Sequence, residues 1–249
     1  MGPDLDALLS SIRACRVCRD TSARRRLPHE PRPVLQASAT ARIAICGQAP
    51  GVRVHASGLP FADPSGDRLR AWMGATKHEF YDAARVAIVP MGFCFPGHDA
   101  HGGDLPPRPE CAALWHAKVF AALARIELLL LVGSYAQRWH LGAGAQSMTE
   151  TVRDWRDCFE ARRPRQLPLP HPSWRNNAWL AANPWFEADV LPVLRREVRR
   201  LLAPATDQAA AGATAAAPVA SAQSAAGATP SQRLRSACAS RSSRRKSSS

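Results

Sequence analysis

The sequence predicts an α/β fold, a three-layer α/β/α single domain with a short central parallel sheet, and three observations carry that reading. Ile43-Ala44-Ile45-Cys46, Arg85 through Pro90 and Ile126 through Gly133 are apolar runs of strand length without alternating polar residues. Runs of that kind suit strands covered on both faces. Each leads through a Gly- or Pro-containing turn into a segment with helical spacing, and 249 residues suffice for one substantial core.

Leu5, Leu8, Leu9 and Ile12 recur on one helical face and run directly into Cys15-Arg16-Val17-Cys18. Residues 19–40 are rich in Arg and Pro and are expected to wrap the surface before the first strand. That strand opens onto Gly47 through Gly66, a connection of about twenty residues where such connections usually run about 2–6. The expected order is strand, long Gly/Pro loop, then a helix carrying Leu69, Trp72 and Met73. Glycines let backbone N–H groups approach a ligand closely, and in open α/β sheets ligands collect outside the carboxyl ends of the strands. This loop is therefore the first candidate for an active site.

The second strand leads through Met91-Gly92-Phe93-Cys94 into a Gly/Pro loop, His98 to Pro109, and then a helix through Leu114, Trp115, Val119 and Leu123. The third strand precedes a helix from Tyr135 to Leu141. Gln166-Leu167-Pro168-Leu169-Pro170 leads to His171-Pro172-Ser173-Trp174-Arg175-Asn176-Asn177, and a last helix ends near Leu202. Residues 1–203 read as the folded domain. Residues 204–249 have almost no large apolar side chains to offset the entropy of ordering, and read as a disordered, Ala/Ser-rich basic tail.

The formal charge is +13, and Arg233, Arg235, Arg241, Arg244, Arg245 and Lys246 of the tail account for only part of it. A basic body implies an acidic partner, of which nucleic acid is the commonest. No apolar run reaches the ~20 residues of a membrane span, and the amino terminus lacks a signal-peptide pattern. A cytoplasmic protein, monomeric and independent of membranes, is expected. Its seven cysteines then read as thiols or metal ligands rather than disulfides. Cys15-x-x-Cys18 alone is compatible with a redox pair, half of a zinc site or two ligands of an iron-sulfur cluster.

Three motifs in order, Gly47-Gln48-Ala49-Pro50-Gly51, Gly58-Leu59-Pro60-Phe61-Ala62-Asp63-Pro64-Ser65-Gly66 and His171-Pro172-Ser173, give the chain a specific likeness. It resembles the uracil-DNA glycosylase superfamily, and most closely its iron-sulfur-containing bacterial and archaeal branches of the family 4 and 5 type. Those proteins carry Gly-Glu-Ala-Pro-Gly, then Gly-x-Pro-Phe-x-Gly-x-Ser/Ala-Gly, and later His-Pro-Ser. The resemblance implies a monofunctional glycosylase that hydrolyses the N-glycosidic bond of uracil in single- or double-stranded DNA during base excision repair. It implies that Phe61 stacks on the base, with Gly47, Ala49, Pro50 and Gly51 around it. It also implies that His171 donates to the uracil O2, where negative charge develops. Ser65, Ser173, Trp174, Arg175 and Asn176 are expected to touch DNA, with Arg175 or Trp174 filling the gap left by the extruded base. Cys94 and Cys111 sit where the branch places its third and fourth ligands, so that with Cys15 and Cys18 they would hold a [4Fe-4S] cluster; zinc and free thiols are the alternatives.

Two positions depart from the pattern. The Glu of the first motif is Gln48, which can orient a water or a base but cannot act as a general base. Asp63, in the same loop, is the candidate replacement, with an Asx-turn role as its alternative. The Asn that reads the uracil edge at the end of the second strand is replaced by Pro90. Recognition is then expected from the backbone near Met91 and Gly92, with His55 as a further pocket candidate. The same departures keep two other readings open: a catalytically weak lesion- or abasic-site-binding protein, and a glycosylase for hypoxanthine or xanthine.

Overall fold

The computed structural model describes residues 4–22, 26–142 and 146–203. The tail, residues 204–249, lies outside the described residues, and with it the expectation of disorder there. Four strands form one parallel sheet in the order β2-β1-β3-β4: β1 is Ile43–Cys46, β2 Val86–Ile88, β3 Leu128–Val132 and β4 Arg165–Leu169.

Successive side chains on a strand point to opposite faces, and here both faces are covered. Ile43, Ile45, Val86, Ile88, Leu128, Leu130, Leu167 and Leu169 pack on helices Pro64–Met73 and Leu191–Leu202, through Leu69, Trp72, Met73, Leu194 and Val198. Ala44, Cys46, Ala87, Leu129 and Leu131 pack on the other layer, which includes Leu5, Leu9 and Ile12 of helix Leu5–Arg13 and Val119 of helix Ala117–Ala122. That arrangement is the three-layer α/β/α domain expected from the unalternating runs.

Local chemistry fixes where the helices start. Asp4 accepts from the backbone N–H of Asp6 at 3.0 Å, and Thr76 with Glu79 forms a reciprocal capping box. The helix that opens at Pro109–Cys111 passes through a π-helical turn, Ala112–His116, before Ala117–Ala122. That turn brings His116 Nε2 to 2.9 Å from the Pro90 carbonyl and stacks its ring on Phe93.

The two ends of the sheet differ. At the amino ends of the strands, Arg42 pairs with Glu127, Glu127 with Arg200, and Glu197 with both Arg200 and Arg165, at 2.7–3.0 Å. The carboxyl ends open into a cleft at the point where the chain order reverses between β1 and β3. That is where open α/β sheets bind ligands.

Candidate active site

The connection from β1 is not the continuous loop that its Gly and Pro content suggested. Gly51 and Gly58 bracket a short helix, Val52–Ser57, and Gly58 ends it at φ 73°. The chain then reaches Phe61, which is held at φ 55°, a left-handed conformation that costs a non-glycine residue about 1–3 kcal/mol. Two contacts fix it there: Tyr81 donates its hydroxyl to the Phe61 carbonyl at 3.2 Å, and Gly66 packs directly against that carbonyl. A β-carbon on Gly66 would fall 1.8 Å from the Phe61 oxygen. The ring is thereby laid across the end of β1, where a β-carbon on Gly47 would come 3.1 Å from its tip. One edge of the ring meets Phe80 at 6.1 Å between centroids.

Asp63 caps helix Pro64–Met73, its Oδ1 accepting from the Gly66 N–H at 2.9 Å. The Asx-type role is thus present in the structure, while the side chain also borders the cleft.

The opposite bank follows β4. His171 Nδ1 accepts from the Ser173 N–H at 3.3 Å, so the neutral ring carries its hydrogen on Nε2. Burial pushes the His171 pKa down while the charges of Asp63 and Asp104 pull it part of the way back. The ring is therefore a neutral donor. Asn176 donates to the His171 carbonyl at 2.7 Å, and Arg68, reaching across from helix Pro64–Met73, donates to the Ser173 carbonyl and to Asn177 Oδ1 at 3.2 and 2.8 Å. Trp174 packs against nothing in the core: it is 71% exposed, with the Arg175 guanidinium 5.5 Å over its ring.

Between these banks lies a cavity of about 680 Å³. Gly47, Gln48, Ala49, Pro50 and Gly51 line it from the first motif, and Phe61, Asp63 and Ser65 from the second. His171, Ser173, Trp174, Arg175 and Asn176 line it from the third. Its further lining residues include Val52 and Arg53, exposed on the short helix; Arg68, one turn after Ser65; and Asp104 from the loop after β2.

Three expected pocket residues lie elsewhere. Met91 is buried in the layer beyond the sheet, and its N–H donates to the Gly47 carbonyl at 2.9 Å. The Gly92 N–H donates to the Gln48 carbonyl at 3.0 Å, and Pro107 and Arg108 close over its α-carbon. Both donors extend the β1–β2 ladder past the strands, so neither borders the cavity. His55 turns from the cleft into an aromatic group with His29 and Phe95, at centroid distances of 4.7 and 6.0 Å.

The four motif cysteines gather behind β2. Cys18 and Cys94 share a small buried cluster with Leu27, and the Cys111 thiol donates to the Cys18 sulfur. That bond, with help from Arg108, brings the Cys18 thiol down to about 7, while the same bond and burial push Cys111 up. Burial pushes Cys94 up to about 12, against a backbone donor from Arg32 and with the charges of Cys18 and Cys15 adding to the rise. A single ion needs three or four donors around one point, and among the described residues no three side chains are so placed. Cys94 accepts from the Arg32 N–H and Cys111 from the Phe93 N–H, so two of the four thiols have the backbone donors that support a thiolate.

An aromatic ring, a neutral imidazole donor and a basic rim around one cleft at the sheet's switch point are consistent with a family model that matches residues 35–195, more than half of the chain, and on that match the protein belongs to the uracil DNA glycosylase superfamily.

Proposed function

We propose that the protein removes uracil from DNA by hydrolysing its N-glycosidic bond, acting as a cytoplasmic monomer and leaving an abasic site. The observation that carries this is His171: half-buried, neutral, and locked by Ser173 into the tautomer whose Nε2–H is free to donate, in a cleft whose far wall is Phe61. As the C–N bond breaks, negative charge moves onto the base, and a fixed donor at its oxygen is worth about 3–4 kcal/mol in such sites. Phe61 supplies the face on which an extruded base stacks. Arg53, Trp174 and Arg175, all exposed on the rim, are placed to meet phosphates and the strand around the vacated position.

One observation favours a second reading, a glycosylase for another deaminated base. The groups at the end of β2 that would read a uracil edge are engaged elsewhere: the Pro90 carbonyl with His116, and the Met91 and Gly92 N–H groups with the first motif. The decisive experiment uses oligonucleotides with a single uracil, hypoxanthine or xanthine, followed by alkaline cleavage of abasic sites. Fastest cleavage at uracil is expected. Cleavage confined to hypoxanthine or xanthine replaces the first reading with the second, and binding without cleavage makes the protein a lesion binder.

The proposal includes a [4Fe-4S] cluster on Cys15, Cys18, Cys94 and Cys111, the assignment that makes this a member of the iron-sulfur branches. Such a cluster would tie the segment after helix Leu5–Arg13 to the loop after β2 and to the start of helix Pro109–Cys111. Protein purified without oxygen should absorb broadly near ~400 nm and contain about four irons. Colourless, iron-free protein with full thermal stability removes the cluster from the reading.

A further inference from the structure

We propose that Asp104 holds the attacking water and takes its proton, supplying from the loop after β2 the carboxylate that the first motif lacks at Gln48. This inference rests on the glycosylase reading and deepens it.

Two carboxylates border the cleft, and they are differently committed. Asp63 spends Oδ1 on the Gly66 N–H as a helix cap. Asp104 spends nothing on a helix; its ion-pair partner among the described residues is His98, whose Nδ1 lies 3.2 Å from Asp104 Oδ1. Oδ2 is turned to the first motif, where a β-carbon on Gly51 would come within 3.4 Å of it. Glycine at that position keeps the approach open.

The segment that carries Asp104 is built to hold it. Gly97 turns the chain at φ 97°, the Leu105 N–H donates to the Gly97 carbonyl, and the Asp99 N–H donates to the Gly103 carbonyl, at 2.9 and 2.8 Å. Asp99 Oδ1 accepts from the N–H groups of His101 and Gly103, and His98 and Asp104 pair across the hairpin. His98 in turn packs edge-on against Phe95, with 4.9 Å between centroids. The hairpin therefore presents one carboxylate oxygen to His98 and the other to the cleft.

The electrostatic arrangement suits the reaction. Breaking a glycosidic bond leaves positive charge on the sugar and negative charge on the base. His171 serves the base; a carboxylate across Gly51 serves the sugar. Both Asp63 and Asp104 lie near enough to act on the charge of His171, which places Asp104 in the same field as the donor. In the step itself, the water oxygen bonds to C1′ as the C1′–N bond breaks, and that electron pair leaves with the base and spreads onto the oxygen facing His171. One water proton passes to the Asp104 carboxylate. Its transfer to the departing base anion restores the carboxylate, so water and nucleotide become free base and abasic sugar.

The test is single-turnover excision from the uracil oligonucleotide by the full chain and by Asp104→Asn, Asp104→Glu, Asp104→Ala and Asp63→Asn, with melting temperature and affinity for abasic-site DNA measured alongside. Asp104→Asn should slow excision by roughly 10²–10³-fold. Asp104→Glu should recover part of the rate, and added formate should accelerate Asp104→Ala but not the parent. Melting temperature and abasic-site affinity should hold, because Asp104 is exposed and outside the core. Excision by Asp104→Asn within about threefold of the parent, with a large loss in Asp63→Asn, overturns the assignment and leaves the glycosylase reading intact. A parent protein that cleaves none of the three lesions removes the reading and Asp104's role together.

Discussion

The bank of the cleft that follows β1 and the bank that follows β4 are fixed by different kinds of contact. On the first, backbone meets backbone: Gly66 lies against the Phe61 carbonyl, Gly47 lies under the Phe61 ring, and the β1–β2 ladder continues through Met91 and Gly92. On the second, a few side chains hold a loop: Asn176 on the His171 carbonyl, Arg68 on Ser173 and Asn177. Close packing against backbone cannot adjust, which on the proposed reading would suit a platform for a flat base. Polar bracing with an exposed Trp174 can yield, which on the proposed reading would suit a loop that meets DNA and then releases it.

The largest effect is expected where backbone contact is tightest. In Gly66→Ala the new carbon meets a carbonyl oxygen at 1.8 Å, and no side-chain motion relieves it. Overpacking usually costs about 1–3 kcal/mol, and with backbone as the obstacle the loss should reach the top of that range or pass it. Urea unfolding checks this; a change below about 1 kcal/mol would mean the first bank is not fixed by that contact. His171→Ala should do the reverse, lowering excision by roughly 10²–10³-fold with little change in unfolding. Equal losses of rate and stability would erase the distinction between the banks.

Acid probes the packing under the first bank. His116 donates to the Pro90 carbonyl, next to the ladder that Met91 continues, and burial brings its pKa down to about 4. The unfolded chain, with an ordinary histidine near 6.5, then binds a proton that the folded state refuses, so stability falls as pH drops from about 6.5 to about 4. Between pH 7 and 5 the loss should be roughly 2 kcal/mol, and His116→Gln should remove that part of the slope. An unchanged slope assigns the acid sensitivity elsewhere, for instance to His140, whose pKa burial brings down to about 3. The smallest effect is expected at Trp174. Trp174→Ala should lower excision in duplex by about 10-fold, from ~1–3 kcal/mol of lost stacking, and hardly at all in single strands, with melting unchanged. Equal losses on both substrates would take the loop off the DNA.

The sheet was legible because burial on both faces writes itself into a strand as an unbroken apolar run, as in Leu128–Val132. The two banks were legible as motifs, yet not in detail. Helix Val52–Ser57 has only six residues, and its Val52 and Val54 are spaced as in a strand. Whether Met91 and Gly92 face a ligand depends on partners some forty residues earlier, Gly47 and Gln48, and the orientation of His55 depends on His29 and Phe95. Asp104 sits in a Gly-rich hairpin whose approach to Gly51 is a fact of tertiary structure alone. Local periodicity carries none of these.

The π-helical turn Ala112–His116 has a consequence for insertions and deletions. It holds one residue more than an α-helix of the same course, so it sets the angular phase between the helical residues on its two sides. Upstream, Cys111 must face Cys18; downstream, Val119 must face the sheet. Each residue in a helix is worth about 100° of rotation. Straightening the turn into a regular α-helix with its residue count kept would therefore swing one end by about that angle relative to the other, and either Cys111 would leave the thiol group or Val119 would leave the core. Deleting Ala113 should do no such harm: the segment would relax to a regular α-helix of the same course, and Cys111 and Val119 would keep their partners.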